Sequence, residues 1–291
     1  MTYAAVIGDP VSHSRSRCIF NYWLERHSIE GRYETLRVVA RDLRRSVFDL
    51  QRKGYRGINV TLPHKESICS LMDDMDMVAK RIGAVNMVTF GDDGRIYGRN
   101  TDGEGFIRAL ERCCVGVRSH IKGKPIVVMG AGGVARAVSV SLLAYVGGDC
   151  QLRIVNRDCR RGRALIHFLG AGRFYDWDDH RCACEGAALV INGTSLGMDG
   201  GTMWEETTVD WGLIFSEVAH RCIVYDTVYV PLETSLLRSA RESGLPCVDG
   251  LWMLLYQAVP ACVSWFGVEP IVDEDVRRHV LSDILCGRAS L

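Results

Sequence analysis

The chain has 291 residues, of which 47% are hydrophobic and 24% are charged, and its 35 basic and 35 acidic residues give a formal net charge of zero. Such a chain is long enough for two domains with a substantial buried core, and its balanced charge provides no electrostatic attraction to nucleic acid or to an anionic membrane. We therefore expect its partner to be a small molecule.

The first hundred residues alternate apolar β-prone runs with helical patterns, which is typical of an α/β domain with a mostly parallel sheet. The predicted strands are 3–7, 32–39 and 57–60, and the predicted helices are 19–29 and 42–52. Two later runs, 85–90 and 95–99, flank Gly91-Asp92-Asp93-Gly94. This spacing predicts a β-hairpin at an edge of the sheet.

The second half is organised around a strand, a glycine turn and a helix. An apolar run at 126–129 meets Gly130, Gly132 and Ala135, and a helical pattern follows as far as Val146. In a Rossmann fold the first glycine permits the tight turn, the second lets a pyrophosphate approach the backbone, and the third small residue lets the helix pack on its strand. The residues predicted to line a dinucleotide here are Gly130, Ala131, Gly132, Gly133, Val134 and Ala135. The alternative is a glycine-rich turn in another kind of α/β protein.

The next predicted strand, 151–155, ends at charged residues that bear on the choice of nucleotide. Arg157, Arg160 and Arg161 favour NADP, because a guanidinium group pairs with a phosphate through two hydrogen bonds. Asp158 favours NAD, since a carboxylate would repel a 2′-phosphate. These arginines can also be read as the exposed first turn of a helix, although cations are poorly placed at that end of the helix dipole.

We predict two domains and a returning C-terminal segment. The substrate-binding and catalytic domain spans 1–103, and the Rossmann NADP-binding domain spans 104–248 with a first helix at 104–114. Further strands of the second domain are predicted at 188–191 and 222–225. Helices in 249–291 are expected to pack back on the first domain.

We expect the chain to have no signal peptide, no membrane span and no bound metal. The N-terminus has no basic segment and no long apolar core, so we expect no signal peptide and a cytoplasmic protein. The apolar run 251–268 contains Gln257, Pro260 and Gly267, which favours a buried helix over a membrane span. The twelve cysteines lack the paired spacing of a structural zinc site, so we expect them to be reduced and mostly buried, with no bound metal.

Polar residues follow the predicted strands of the first half, at the sheet edge where open α/β sheets bind ligands. They lie in 8–16, 57–65, 83–86 and 98–102. Lys65 is the most informative, because Pro63 suits the first position of a helix and would place Lys65 in the first turn. The helix dipole disfavours a protonated amine there, which suits proton transfer. The alternative is an ordinary surface lysine.

Ordered motifs run along nearly the whole chain. Those of the first half are Gly8-x-Pro10-x-x-His13-Ser14-x-Ser16, Asn59-Val60-Thr61-x-Pro63-x-Lys65, Gly83-Ala84-Val85-Asn86 and Asn100-Thr101-Asp102. Those of the second half are Gly130-Ala131-Gly132-Gly133, Asn156-Arg157, Asn192-x-Thr194-x-x-Gly197-Met198, Asp226-x-x-Tyr229-x-Pro231 and Gly250-x-x-Met253-Leu254-x-x-Gln257. Together they resemble the shikimate dehydrogenase family.

The resemblance implies NADP-dependent, reversible reduction of 3-dehydroshikimate to shikimate in aromatic amino acid biosynthesis. It implies that Lys65 is the general acid and base, with Asp102 beside it. The residues implied to hold the substrate are Ser14, Ser16, Thr61, Asn86, Asp102, Tyr229 and Gln257. Beyond the glycine turn, those implied to hold the cofactor are Asn156, Arg157, Arg161, Thr194, Ser195, Met198, Gly250 and Met253.

Two other functions stay open. A quinate or quinate/shikimate dehydrogenase that uses NAD is compatible with the small Ser14 and Ser16, and with Asp158, which stands where many NADP-selective members have threonine. A non-catalytic dinucleotide-binding sensor is disfavoured because it would need neither Lys65 nor Asp102. The expected assembly is a monomer or a homodimer.

Overall fold

The computed structural model describes residues 1–12, 14–198 and 209–288, so His13 of the first motif lies outside the described residues. The chain divides into two compact units. The first comprises Met1–Thr101 and Leu255–Leu291, and the second comprises Asp102–Leu254. The first unit is therefore built from both ends of the chain.

The described residues of the first unit form six strands. In chain order its elements are β1 (Thr2–Gly8), α1 (Ser16–Arg26), β2 (Gly31–Arg37), α2 (Leu43–Arg52), β3 (Tyr55–Val60), β4 (Asp74–Met75), α3 (Met77–Ile82), β5 (Met87–Phe90) and β6 (Ile96–Arg99).

The first sheet has the order β2-β1-β3-β5-β6-β4. Strand β1 pairs in parallel with β2 and β3, whereas β5 runs antiparallel to both β3 and β6. The predicted hairpin of β5 and β6 is confirmed. Its placement at the sheet edge is wrong, because the two-residue strand β4 pairs beyond β6 and forms that edge.

The second unit has its own sheet. In chain order its elements are α4 (Asp102–Cys113), α5 (Val117–Ile121), β7 (Pro125–Met129), α6 (Gly133–Tyr145), β8 (Gln151–Asn156), α7 (Cys159–Leu169), β9 (Arg173–Asp176), α8 (His180–Cys184), β10 (Leu189–Asn192), α9 (Trp211–Phe215), β11 (Ile223–Asp226), α10 (Ser235–Glu242) and β12 (Cys247–Val248). Helix α11 (Gly250–Phe266) starts in this unit and ends in the first, and α12 (Glu274–Arg288) belongs to the first.

The second sheet is parallel throughout, with the order β12-β11-β10-β7-β8-β9. This is the strand order of a Rossmann fold, in which the chain reverses its direction of progress between β7 and β10. Strands of such sheets are covered on both faces, which explains why β7 and β10 read as continuous apolar runs with buried side chains. The α/β fold class with mostly parallel sheets is confirmed.

An aromatic cluster holds the end of α11 in the first unit. Phe20 of α1 stacks on Tyr33 of β2 with ring centroids 4.1 Å apart and an interplanar angle of 6°. Trp265 of α11 packs on the same Phe20 ring at 5.8 Å. All three side chains are buried. Large aromatic rings that pack in this way contribute strongly to a core, so the C-terminal helices are an integral part of this unit.

Further expectations from the sequence concern the cysteines, metal binding and membrane-spanning helices. The twelve cysteines are free, but only Cys184, Cys222 and Cys262 are buried, so the expectation that most would be buried is wrong. Among residues 1–12, 14–198 and 209–288, no group of three His, Cys, Asp or Glu side chains is placed to hold a metal ion. No helix in those same ranges has the length and hydropathy needed to cross a membrane.

Candidate active site

In the first unit, the polar residues predicted for the site lie at one edge of the sheet. Strands β1 and β3 are parallel and end there, and β5 begins there because it runs antiparallel to β3. Asn86 therefore precedes β5 rather than following a strand, which corrects the sequence-based placement. Thr101 comes two residues after the end of β6 and reaches the same edge.

Two serines lie close together at the start of α1. Ser14 Oγ is 3.2 Å from Ser16 Oγ, and Ser14 Oγ also accepts a hydrogen bond from the backbone N–H of Ser16 at 3.4 Å. The Ser14 N–H donates to the Val11 carbonyl at 3.0 Å, which closes the turn after β1. The turn thus presents two neighbouring hydroxyl groups suited to an anionic oxygen ligand.

Lys65 lies in a turn and not in a helix. The peptide bond between Leu62 and Pro63 is cis, and the first helical turn after it is a 3₁₀ helix over Ser67–Leu71. The prediction that Pro63 starts a helix with Lys65 in its first turn is wrong, so the argument from the helix dipole does not apply. The Lys65 carbonyl instead accepts a hydrogen bond from Val85 N–H at 2.8 Å, which fixes this turn beside the segment leading to β5.

A buried histidine anchors the same turn. His64 is only 1% exposed, and its Nε2 lies 2.6 Å from the Val38 carbonyl oxygen. Since a carbonyl can only accept, the Nε2 of His64 carries the proton in this contact. The His64 N–H also donates to the Thr61 carbonyl at 3.0 Å, so the backbone from Thr61 to Lys65 is held from both sides.

Asn86, Thr101 and Gln257 form a buried polar network in the first unit. Asn86 Nδ2 donates to Thr101 Oγ1 at 3.0 Å, and Asn86 Oδ1 accepts from Thr101 N–H at 2.8 Å. Thr101 Oγ1 donates to the Gln257 carbonyl at 2.8 Å, and Asn86 Nδ2 lies 3.5 Å from Gln257 Oε1. The structure thereby brings together two predicted substrate residues, Asn86 just before β5 and Gln257 on α11. Thr101, which fixes both, was not among the predicted site residues.

Asp102 is the first residue of α4 and is only 6% exposed. The helix predicted at 104–114 therefore begins two residues earlier than expected. A carboxylate in the first turn of a helix meets the positive end of the helix dipole, which stabilises its charge in a largely buried position. Asp102 directly follows Thr101 in the chain.

The glycine turn of the second unit has the shape that the Rossmann motif requires. Gly130 has φ of +107°, which residues with a Cβ rarely adopt, and a Cβ there would lie 3.0 Å from the Gly193 carbonyl oxygen. A Cβ on Gly132 or Gly133 would meet no atom within 4 Å. Helix α6 begins at Gly133 without a side-chain cap. The turn fits a pyrophosphate group.

The charged residues after β8 adopt a defined arrangement. Helix α7 begins at Cys159, and Asp158 caps it by accepting the N–H groups of Arg160 and Arg161 at 2.9 and 3.1 Å through one carboxylate oxygen. Both arginines are exposed in the first turn, as is Arg157 just before it. Asn156 Nδ2 donates to the Asp158 carbonyl at 2.8 Å and closes the turn. Asp158 thus has a structural reason to be present whichever nucleotide binds.

The loop after β10 lies beside the glycine turn. A Cβ on Gly130 would approach Thr194 within 3.0 Å, which places Thr194 next to the glycine turn at the point where the strand order reverses. Thr194 Oγ1 donates to Asn192 Oδ1 at 2.6 Å and accepts from Leu196 N–H at 3.0 Å. Ser195 and Met198 are both exposed on this loop.

Asp226, at the end of β11, is completely buried. Its carboxylate accepts hydrogen bonds from Asn192 Nδ2 at 2.9 Å, Val228 N–H at 2.9 Å and Thr234 Oγ1 at 2.6 Å. Burial raises the pKa of Asp226 from its ordinary 3.8 to about 7, a shift that these donors partly oppose and to which the nearby charge of Asp249 adds a small part. The Asp226 side chain therefore links the loop after β10 to the turn that carries Tyr229.

The last predicted cofactor residues lie at the start of α11. Gly250 is the first residue of this helix, and its N–H donates to the Val228 carbonyl at 3.3 Å. Met253 follows one turn later and is 7% exposed, in contrast to Met198, which is 46% exposed.

The chain is similar to known proteins along nearly its whole length. Residues 6–88 match the family model of the shikimate dehydrogenase substrate binding domain. The chain is 45% identical over 283 residues to the shikimate dehydrogenase (NADP(+)) of Rhodospirillum rubrum, an alignment that covers 96% of each chain.

Two solved structures are similar along nearly the whole chain. The shikimate 5-dehydrogenase of Thermus thermophilus, in complex with NADP(H) and shikimate, is 32% identical, with a TM-score of 0.80 over 96% of this chain and 100% of that one. The quinate dehydrogenase of Corynebacterium glutamicum, in complex with NAD, is 28% identical, with a TM-score of 0.83 over 97% and 99% of the two chains.

Proposed function

The chain belongs to the shikimate dehydrogenase family, and we propose that it reduces 3-dehydroshikimate reversibly to shikimate with NADPH. The observation that carries this proposal is the buried network of Asn86, Thr101 and Gln257, whose Thr101 immediately precedes Asp102 in the chain. Such a rigid set of amide and hydroxyl groups suits a small ligand with several hydroxyl groups. The 45% identity to an NADP-dependent shikimate dehydrogenase supports the same activity.

In this mechanism Lys65 moves the proton. During reduction the Lys65 ammonium group donates a proton to the carbonyl oxygen of the substrate, and during oxidation the amine accepts the proton of the hydroxyl group. Asp102 orients that same oxygen by hydrogen bonding. The hydrogen bond between the Lys65 carbonyl and Val85 N–H supports this role, because it holds the lysine backbone in one place. A positioned acid or base contributes about 10²- to 10⁴-fold to a rate.

The other polar residues would bind and orient the substrate. We assign its carboxylate to Ser14, Ser16 and Tyr229, and its ring hydroxyl groups to Thr61, Asn86, Asp102 and Gln257. The 3.2 Å contact between the two serine hydroxyls supports a shared ligand for them. A site built to hydrogen-bond a hydroxyl rejects an analogue that lacks it by up to about 10⁴-fold, because its own polar groups are then left unpaired.

NADP fits the open glycine turn and the arginines after β8. The pyrophosphate would be held at residues 130–135, the adenosine ribose phosphate at Asn156, Arg157 and Arg161, and the nicotinamide beside Thr194, Ser195, Met198, Gly250 and Met253. When bound, the nicotinamide ring supplies or accepts the hydride. The protein provides orientation and the proton. Because the proposed activity is a biosynthetic reduction, we expect the enzyme to act in the cytoplasm. The expected assembly is a monomer or a homodimer.

A steady-state assay of the purified full-length chain tests this function. Shikimate and quinate are each combined with NADP⁺ and with NAD⁺, and reduction of the nucleotide is followed by absorbance. We expect turnover with shikimate and NADP⁺, and a loss of about 10²- to 10⁴-fold in kcat for Lys65→Ala. Lys53→Ala is the control, because Lys53 is an exposed lysine of the same unit at the end of α2.

Two outcomes would contradict the proposal. Faster turnover with quinate and NAD⁺ would favour the quinate dehydrogenase alternative, which the similarity to the Corynebacterium enzyme and the presence of Asp158 keep in consideration. Tight binding of NADP⁺ without turnover of either acid would favour a dinucleotide sensor.

A further inference from the structure

Three separate segments of the second unit meet at one buried carboxylate. Oδ1 of Asp226 accepts from Asn192 Nδ2 and from Val228 N–H, both at 2.9 Å, and Oδ2 accepts from Thr234 Oγ1 at 2.6 Å. Asn192 ends β10, Val228 lies in the turn after β11, and Thr234 caps α10. An ionised carboxylate is an acceptor without donors, so it can satisfy all three donors at once.

The first link continues into the loop after β10. Asn192 uses its amide nitrogen to donate to both Asp226 and the Leu196 carbonyl, the latter at 3.0 Å. Its amide oxygen accepts from Thr194 N–H at 3.0 Å and from Thr194 Oγ1 at 2.6 Å. The orientation of the Asn192 amide, which Asp226 fixes, therefore determines the path of residues 193–196.

The second link continues into the turn that carries Tyr229. Val228 donates its N–H to Asp226, and its carbonyl accepts from the N–H of Gly250 at 3.3 Å. Thr227, just before it, donates both its N–H and its hydroxyl to the Asn192 carbonyl, at 3.1 and 2.9 Å. The turn is thus tied to the end of β10 on one side and to the start of α11 on the other.

We propose that Asp226 is a positioning residue, which fixes the loop at 193–198 and the turn at 227–229 in one geometry through Asn192 and Val228. This inference rests on the proposed function, which places the nicotinamide against that loop and the substrate carboxylate at Tyr229. Asp226 contacts neither ligand in this scheme. It determines where the groups that do contact them are held.

The chemistry of the site explains why an acid occupies this position. Removing a carboxylate from water is unfavourable, and the raised pKa of Asp226 reflects that cost. A leucine would avoid the cost but would leave three buried donors unpaired, and an asparagine would present a donor where Oδ2 now accepts. Above its pKa of about 7 the group is ionised, and hydrogen bonds to a charged acceptor are roughly twice as strong as neutral ones. In that form the carboxylate holds both segments more rigidly than a neutral side chain would.

Nucleotide fragments distinguish this role from a general effect on folding. We would measure by titration calorimetry the affinity of the full-length chain for NADP⁺ and for adenosine 2′,5′-bisphosphate, which lacks the nicotinamide half. The second probe would engage only the glycine turn and the arginines after β8. Asp226→Asn should raise the Kd for NADP⁺ about 5-fold, because one of the accepted hydrogen bonds is weakened. Asp226→Ala should raise it by more than about 20-fold, because all of them are lost.

The Kd for adenosine 2′,5′-bisphosphate should change by less than about 2-fold in both variants. Glu233→Gln is the control, since this exposed carboxylate in the same stretch pairs only with arginines of α10 among its described contacts. The KM for shikimate should rise in parallel with the Kd for NADP⁺, because Tyr229 shares the same anchor. If Asp226→Ala does not fold, Asp226→Asn carries the test alone.

The two hypotheses fail in different ways. Wild-type protein that binds no NADP⁺ would overturn the proposed function itself. Wild-type protein that binds NADP⁺, together with variants that bind it equally well, would overturn only the role of Asp226. Equal loss of affinity for both nucleotides would also overturn that role, since it would indicate a general disturbance of the second unit.

Discussion

The Nε2 atom of His64 lies 2.6 Å from the carbonyl oxygen of Val38, and both residues are buried. Val38 directly follows β2, while His64 immediately precedes Lys65. A single hydrogen bond therefore connects the turn proposed to carry the acid–base group to a strand two positions away in the sheet. We regard His64 as a support for Lys65 and not as a participant in proton transfer.

Replacing His64 by leucine should lower both stability and turnover. The Val38 carbonyl would lose its partner, which costs about 1–3 kcal/mol for a buried polar group. The Thr61–Lys65 turn would also lose its anchor, so kcat should fall more than the KM for the nucleotide changes. His27→Leu, at an exposed histidine just after α1, is the control. Denaturant unfolding and steady-state kinetics would measure the two effects, and unchanged kcat in a destabilised variant would contradict this role.

Gly132→Ala should separate folding from nucleotide binding. A Cβ on Gly132 meets no protein atom within 4 Å, so the melting temperature should hardly change. The same Cβ would occupy the space in which a pyrophosphate approaches the backbone, and NADP⁺ affinity should fall by more than about 10-fold. Gly212→Ala, where the nearest contact of a Cβ is an ordinary 3.5 Å, is the control. Full affinity in Gly132→Ala would place the nucleotide elsewhere.

Asp158 combines a capping role with a charge that opposes NADP. Asp158→Ser should keep the cap of α7, remove the negative charge, and raise the preference for NADP⁺ over NAD⁺. Asp158→Ala should raise that preference as well, but should cost about 1 kcal/mol of stability because the N–H groups of Arg160 and Arg161 lose their acceptor. Ratios of kcat/KM for the two nucleotides provide the measurement. No change in the ratio for either variant would show that Asp158 is only a cap.

The buried Asp226 predicts a specific pH dependence of stability. Its pKa is raised from 3.8 to about 7 in the folded chain, so folding favours the protonated form. The stabilisation is complete below about pH 4 and is lost as the pH rises through about 7. Asparagine does not titrate. The free energy of unfolding of Asp226→Asn, relative to that of wild type, should therefore rise by on the order of a few kcal/mol when the pH is raised from about 5 to about 8.

Chemical denaturation at these two pH values would measure the difference in the free energy of unfolding between wild type and Asp226→Asn. A constant difference across the range would show that Asp226 does not titrate there. A gain in stability combined with weaker binding of NADP⁺ would show that the acid is present for function and not for folding.

Much of the architecture can be predicted from the sequence because its signals are local. The apolar runs at 126–129 and 188–191 are covered on both faces, and their continuous hydrophobicity reflects that burial directly. The glycine turn is predictable for the same reason, since its geometry depends on residues adjacent in the chain.

Contacts between distant parts of the chain are not predictable in the same way. Thr101 donates to the carbonyl of Gln257, 156 residues later, and His64 reaches back 26 residues to Val38. No periodic pattern indicates such pairs. The prediction for Pro63 is wrong because a proline after a strand suits a turn as well as a helix start, and only the surrounding backbone distinguishes them.

The first unit is assembled from the two ends of the chain, with the intact second unit between them. During synthesis on the ribosome, all of the second sheet emerges before the segment that completes the first unit. Phe20 and Tyr33 therefore lack the covering ring of Trp265 until the last helices are translated. A nascent chain that stalls near residue 254 would present an exposed aromatic surface to chaperones, although its nucleotide-binding half could already be folded.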